Sequence, residues 1–413
     1  MKNIAAQKNA LMILIIGFAV VFFSSSIKNT FQVFFVQMSG SFDQSRGEFA
    51  VAMSVFMLVF GIASPLVGLL SDRIGPKKTI LFGLIASGLA MVGAGLIDSF
   101  FAFVFLYGVI AAFGLTAMSY VPMGILVDQS FSEKRKGLAY ATLTNGAAIG
   151  FMVLSPVWVF LQEAMPWQQV FLFLGIIYLV PLLILVKVYL PDDKPSQSKH
   201  NDSAHDAQNR FKEKLRVVFN NKAFYALILG FFGCGVTMAF IDVHLVAHFQ
   251  DLQSSKTEIS IALSVLGATE LIGAFLAGWM CDKYPKSYVI AGFYFIRALA
   301  IVALLLMPNF SGAFIFVVLF GLSYLGTVVG TSMYTLTIFG TQLKGFAFGF
   351  IWLFHQIGAF LSTQLGANAF DWFGSYTWTI IFTGIVAVIS CLISFFMLPA
   401  HYEAEPVKIP QPS

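Results

Sequence analysis

Twelve apolar runs divide the chain, at roughly 11–37, 48–70, 79–98, 101–128, 137–163, 168–190, 223–249, 257–281, 287–307, 311–340, 345–370 and 373–398. Each is about 20 residues or longer, enough for a helix to cross a hydrocarbon core of about 30 Å. Lipid offers no partner to a free backbone N–H or C=O, so the runs are expected to be helical. Only 11% of the 413 residues are charged, against roughly 25% in an average soluble domain. A water-soluble fold is excluded. The first run follows Lys2 and Lys8 in the manner of a signal peptide. It is too long for one and has no small-residue cleavage site, so it counts as the first spanning helix. The expected fold is an all-α integral membrane protein with twelve transmembrane helices in two six-helix, pseudo-symmetric bundles.

Positive charge orients the chain. With the N-terminus in the cytoplasm, twenty Lys and Arg fall on the cytoplasmic side, and Arg46 and Lys256 on the other. That asymmetry places both termini in the cytoplasm. Short loops and the lack of a transit peptide point to a bacterial cytoplasmic membrane. The longest polar stretch divides the chain into an N-terminal bundle (1–190), a cytoplasmic linker (191–222), a C-terminal bundle (223–400) and a cytoplasmic tail (401–413). Within the linker, 210–219 reads either as a basic amphipathic segment on the inner leaflet or as plain linker.

The halves repeat. GLLSDRIGPK at 68–77 matches GWMCDKYPKS at 278–287 with an offset of 210, and at that offset Ser45-Arg46-Gly47-Glu48 falls on Ser255-Lys256-Thr257-Glu258. KGLAYATLTNGAAIG at 136–150 matches KGFAFGFIWLFHQIG at 344–358 with an offset of 208. Parallel six-helix repeats are a transporter design, with substrate held between the halves near the membrane midplane.

Gly68-Leu69-Leu70-Ser71-Asp72-Arg73-Ile74-Gly75-Pro76-Lys77-Lys78 resembles the motif between helices 2 and 3 of the major facilitator superfamily. Gly278, Asp282 and Lys283 resemble its weaker second copy. Within the superfamily, FQVFFVQMSGSF, Gly137, Gly146, Gly150, Pro156, VHLVAHFQDL at 243–252 and HQIGA at 355–359 resemble the monocarboxylate transporter and oxalate–formate antiporter branch. Lys28 resembles the helix 1 lysine of monocarboxylate transporters. Glu270 stands where their helix 8 acid would be, with Ala274 in place of the following Arg, and His355 occupies the stretch where the oxalate–formate exchangers carry lysine. The resemblance implies that Gly68, Asp72, Arg73, Gly75 and Lys77, with Asp128, Arg135, Asp282 and Lys283, form a conformational latch between the halves. Without the resemblance, these charges simply hold loops inside.

Several polar residues lie inside the runs, where ionisable groups are costly and face protein or a cavity. Lys28 shares a helical face with Ser25, Asn29 and Gln32. It is the best candidate cation for a carboxylate; snorkelling to the headgroups is the alternative. At offset 210 Gln32 falls on Asp242 and Phe34 on His244. Asp242 is a counter-charge for Lys28 or a proton carrier, and His244 has a side chain suited to proton coupling or to a satisfied internal hydrogen bond. Glu270 and Arg297 stand at nearly equal depth on either side of the turn at Lys283 and are expected to pair across it, either neutralising each other or coupling protons to anion binding. Asn145 and His355 lie in the second internal repeat. Tyr120 and Tyr324 can donate hydroxyls to a carboxylate or simply pack.

No GxxxxGK[ST] loop, metal-ligand spacing or nucleophile–base cluster is present in the sequence, so neither ATP drive, a metal, a cofactor nor an enzyme is expected. Nothing points to nucleic acid. The expected activity is secondary transport of a small organic anion, such as a monocarboxylate, by a monomer in lipid, through proton symport or exchange. The competing readings are export of amphipathic compounds by proton antiport and a non-transporting membrane sensor.

Overall fold

The computed structural model describes residues 2–131, 133–192, 204–307 and 309–400. Side chains at 2–9, 120, 128, 129, 133, 134, 204–211, 341 and 342 lie outside the described set, as do the tail 401–413 and linker residues 193–203. Twelve helices are long and apolar enough to span a membrane: α1 (Ala10–Ser41), α2 (Arg46–Ile74), α3 (Pro76–Leu96), α4 (Phe100–Val127), α5 (Arg135–Ala164), α6 (Trp167–Tyr189), α7 (Lys222–Asp251), α8 (Lys256–Lys283), α9 (Lys286–Leu306), α10 (Phe310–Gly340), α11 (Leu343–Phe373) and α12 (Thr377–Phe396). The linker contributes one further helix, Ala204–Phe219, longer than the segment its basic pattern marks.

Local chemistry repeats between the halves. α2 and α8 both begin at a reciprocal cap, Ser45 with Glu48 and Ser255 with Glu258. Just ahead of each cap the chain turns through a left-handed residue, Asp43 (φ 53°) and Gln253 (φ 56°). The helix crossings repeat as well. A Cβ on Gly150 of α5 would lie 2.4 Å from the Phe22 carbonyl of α1, and one on Gly358 of α11 would lie 2.4 Å from the Phe232 carbonyl of α7. Small residues let membrane helices approach this closely.

Across the halves, α2 packs on α11 and α5 on α8. α9 packs chiefly on α10 and α12, and only slightly on its hairpin partner α8. α10 and α11 run on from one another except at Gly340, where φ is 61°. Large apolar side chains such as Phe101, Leu138 and Phe396 cover the outside of the bundle, as expected of a surface that meets lipid.

Candidate functional site

The central site is built on a break in α1. Its helix is interrupted at Ser25, between Lys2–Ser24 and Ser26–Ser41. Carbonyls on both sides of the break accept tyrosine hydroxyls from neighbouring helices. Tyr178 of α6 donates to the Phe23 carbonyl at 2.7 Å and Tyr107 of α4 to the Ile27 carbonyl at 2.8 Å. Both tyrosines are fully buried and both sit in π-helical turns, Val104–Ala111 and Tyr178–Leu182. π-turns are rare and mark places where a helix departs from regular geometry for a purpose.

Lys28 follows this break. Its ammonium pairs with the Asp242 carboxylate of α7, which itself lies in a π-turn, Phe240–His244. The Tyr324 hydroxyl of α10 donates to Asp242 Oδ1 at 3.1 Å. Gln32, one turn along α1, donates to the neighbouring Ile241 carbonyl. Lys28 and Asp242 thus join the two halves, and both keep partial exposure, 27% and 15% of the side chain.

The expected Glu270–Arg297 pair is not formed. Arg297 is fully buried and turns away from α8. Its Nε donates to Ser323 Oγ at 3.1 Å, and Nη1 donates to Thr237 Oγ1 at 2.9 Å and Cys234 Sγ at 3.2 Å. Nη2 donates to the Ser323 carbonyl at 2.8 Å and Thr327 Oγ1 at 3.0 Å. All five guanidinium N–H donors therefore have partners on α7 and α10. Depth along a helix says nothing about rotation around it, and α9 leans on α10 rather than α8. Glu270, 6% exposed, has no hydrogen bond or ion pair among the described residues, although it lies within the electrostatic reach of Asp242, Lys28 and Arg297.

The other expected site residues scatter. Asn29 is buried and bonds locally to Ser25 Oγ. Asn145 is half-buried on α5 and bonds to none of the described groups. The Tyr120 side chain lies outside the described residues. His244 points away from the Lys28 pair: its Nε2 lies 3.0 Å from the Thr363 carbonyl of α11, among Phe35, Phe240 and Tyr376. His355 is buried, with Nε2 3.2 Å from Met238 Sδ and its ring parallel to Trp352.

Of the expected latch residues, Asp72, Arg73, Arg135, Asp282 and Lys283 are exposed and make no hydrogen bond or ion pair among the described residues. Asp128's side chain lies outside the described residues. Lys283 rests over the Trp279 ring at 4.4 Å. Gly75 (φ 93°) shapes the turn, and Gly68 comes no closer than van der Waals distance to Val121. Lys77 donates to the Leu190 carbonyl and, at the start of the linker, to Asp192 Oδ1, each at 2.8 Å. Beside that ammonium the Asp192 carboxyl is held below the usual carboxylate range.

The opposite face is clamped shut, by groups whose role the sequence did not disclose. Arg46 of α2 grips Asp251 of α7 with both Nη atoms, at 2.6 and 2.7 Å, and its guanidinium stacks 3.7 Å from the Phe370 ring of α11. The Gly47 N–H donates to Asp371 of α11 at 2.7 Å, an approach a Cβ would crowd, meeting Asn368 Oδ1 at 2.4 Å and Asp371 Oδ2 at 2.6 Å. Lys256 of α8 pairs with Glu163 of α5. Arg46 and Lys256 correspond at offset 210, and Glu163 and Asp371 at offset 208, so the two clamps draw on corresponding positions, although Arg46 itself pairs with Asp251 and leaves Asp371 to the Gly47 N–H. Arg46→Ala is expected to open this face. In a single-cysteine background, Ser54→Cys, now buried under Gln364, should react about tenfold faster with an impermeant maleimide added from that side. Unchanged labelling would show that Arg46 does not hold the face closed.

The chain resembles known proteins along most of its length. The family model described as Major Facilitator Superfamily matches residues 14–363 and 245–413. An uncharacterized MFS-type transporter, YcxA of Bacillus subtilis (strain 168), is 29% identical over 387 residues, covering 91% of this chain and 93% of that protein. Monocarboxylate transporter 4 of Rattus norvegicus is 24% identical over 412 residues, covering 95% and 86%. Among solved structures, a bacterial homolog to the human lysosomal transporter Spinster, in an inward-facing and unoccupied conformation, superposes with a TM-score of 0.78 at 13% identity, covering 96% of this chain and 99% of that one. A twelve-span helical bundle with a duplicated architecture and a family match over most of its length leaves one conclusion: this chain is a multi-pass membrane transporter, not an enzyme, and belongs to the major facilitator superfamily.

Proposed function

We propose that the protein moves a small monocarboxylate through the membrane by alternating access, coupled to protons. The observation that carries this reading is the Lys28–Asp242 pair on the broken helix α1, with Glu270 unpaired nearby. Lys28, Arg297 and Asp242 all lie within electrostatic reach of Glu270. With both acids ionised the cluster is neutral and an anion gains little by entering it. A proton on Glu270 leaves one net positive charge, and Lys28 can turn from Asp242 toward a substrate carboxylate while Tyr324 keeps hold of Asp242. Proton and anion thus favour each other's binding, as symport requires.

The positive-inside asymmetry supports cytoplasmic termini, and the bacterial relative supports a bacterial cell membrane. On that orientation the clamped face is external and the chain is inward-facing. The similarity to monocarboxylate transporters supports the substrate class.

The test is uptake of radiolabelled lactate and pyruvate into proteoliposomes with and without an inward proton gradient. Wild type should accumulate substrate only with the gradient. Glu270→Gln should lose gradient-driven accumulation by about tenfold or more while retaining exchange of internal for external substrate. Gradient-driven accumulation by Glu270→Gln at the wild-type level would remove Glu270 from the coupling step.

A further inference from the structure

The charged pair accounts for a carboxylate but not for what the carboxylate is attached to. Trp352 of α11 is an aromatic side chain shared between the halves. Its ring centroid stands 6.4 Å from Phe60 on α2 of the other half and 6.1 Å from Phe231 on α7. A side chain that touches both halves points to the space between them, and Trp352 keeps part of its surface exposed there. Tyr324 and Trp352 are the side chains that border both large apolar clusters of the protein. Tyr324 is also the residue whose hydroxyl holds Asp242. Trp352 stacks on His355, which touches Met238, one helical turn from Asp242 on α7.

One face of the indole is already backed. The His355 ring lies parallel to it, at 5.0 Å and 6°. His355 is in turn fixed against Met238 and against the Phe231 ring at 4.7 Å. The stack is braced from behind, Phe348 borders the indole at 6.3 Å, and the indole N–H donates to no described residue. His355 also lies within the electrostatic reach of Lys28, which ties the stack to the cation. Two buried polar atoms beside it, His355 Nδ1 and Gln356 Oε1, have no partner. A rigid, electron-rich face next to a cation suits a ligand with a planar ring at one end and an anion at the other.

We infer that the substrate is an aryl-substituted monocarboxylate, its carboxylate on Lys28 and its ring against Trp352, and that Trp352 is the residue that selects it. This rests on the carboxylate reading above and adds the apolar end of the ligand. A substrate of the size of lactate leaves the indole face bare.

The test uses two compounds with the same head group, lactate and 3-phenyllactate, in proteoliposomes under an inward proton gradient, with protein-free vesicles subtracted. Wild type should show a KM for phenyllactate about tenfold below that for lactate. Trp352→Ala should raise the phenyllactate KM about tenfold and leave the lactate KM within about threefold, with Trp352→Phe restoring most of the preference. Retained lactate uptake by Trp352→Ala shows that the variant folds. Equal KM values in wild type, or an equal loss for both compounds in Trp352→Ala, would overturn the inference and leave the carboxylate reading standing. Failure of wild type to move either compound would overturn both.

Discussion

Lys28→Ala is expected to lower substrate uptake and exchange at least about a hundredfold, because it removes a partly exposed cation that sits beside the break in α1 and bridges the halves. Arg297 cannot take over, since all its donors are engaged. The single variant also leaves the Asp242 carboxylate unpaired inside the membrane, and breaking a buried pair on one side costs roughly 3–5 kcal/mol. Loss of transport alone would therefore be ambiguous. The double variant Lys28→Ala with Asp242→Asn removes both charges and keeps the shape. It should unfold in detergent within a few degrees of wild type and still transport nothing. Uptake by the double variant at more than about a tenth of the wild-type rate would show that Lys28 serves only to neutralise Asp242.

Arg297→Ala should be as destabilising as Lys28→Ala, for a different reason. The guanidinium ties α7, α9 and α10 through charge-assisted hydrogen bonds, each worth roughly 1.5–3 kcal/mol when made. It also lies 4.9 Å from the Phe320 ring and 5.5 Å from the Tyr294 ring. The hydroxyls it holds keep intrahelical acceptors, such as the Phe320 carbonyl for Ser323 and the Gly233 carbonyl for Thr237. The loss is then the clamp and the cavity rather than new unsatisfied groups, and a net cost of about 3–5 kcal/mol follows. Lysine has three donors and no planar fork, so Arg297→Lys should recover only part of the loss. The check is thermal unfolding followed by intrinsic fluorescence, with KM measured on the surviving Arg297→Lys protein. A raised KM with unchanged melting would assign Arg297 to substrate binding and refute the structural role.

How much of this was legible from residue order depends on the kind of information involved. Span number, helical state and the duplication are written in run length and in offsets of 208 and 210, because the membrane forces every buried stretch into a helix. Lys28 stood out because a charge within a polar stripe is expensive anywhere but inside the bundle, and the offset that set Asp242 opposite Gln32 brought the two α1–α7 partners into one region. Rotation about the helix axis was not legible. Arg297 and Glu270 share a depth, yet one turns to α10 and the other is left alone. Tyr107 and Tyr178 were invisible for a similar reason. π-turns have no residue signature, so nothing marks a tyrosine as the cap of another helix's carbonyl. The Ser-x-x-Glu caps at Ser45 and Ser255 were readable as helix starts. That the basic residue after each would reach across to the other half was not.

The two rim contacts are reciprocal. Arg46 belongs to the first half and grips helices of the second, while Lys256 belongs to the second and grips a helix of the first. The duplication places them on opposite sides of the pseudo-twofold axis. A rigid half that tilts away must release both, and tearing only one leaves the other as a tether. The free energies of the two bonds then add in the barrier to opening, and a partly parted rim is disfavoured by the contact that still holds. On the proton-coupled reading proposed above, a partly parted rim would let protons escape uncoupled, and the reciprocal contacts would favour an all-or-none passage from sealed to open.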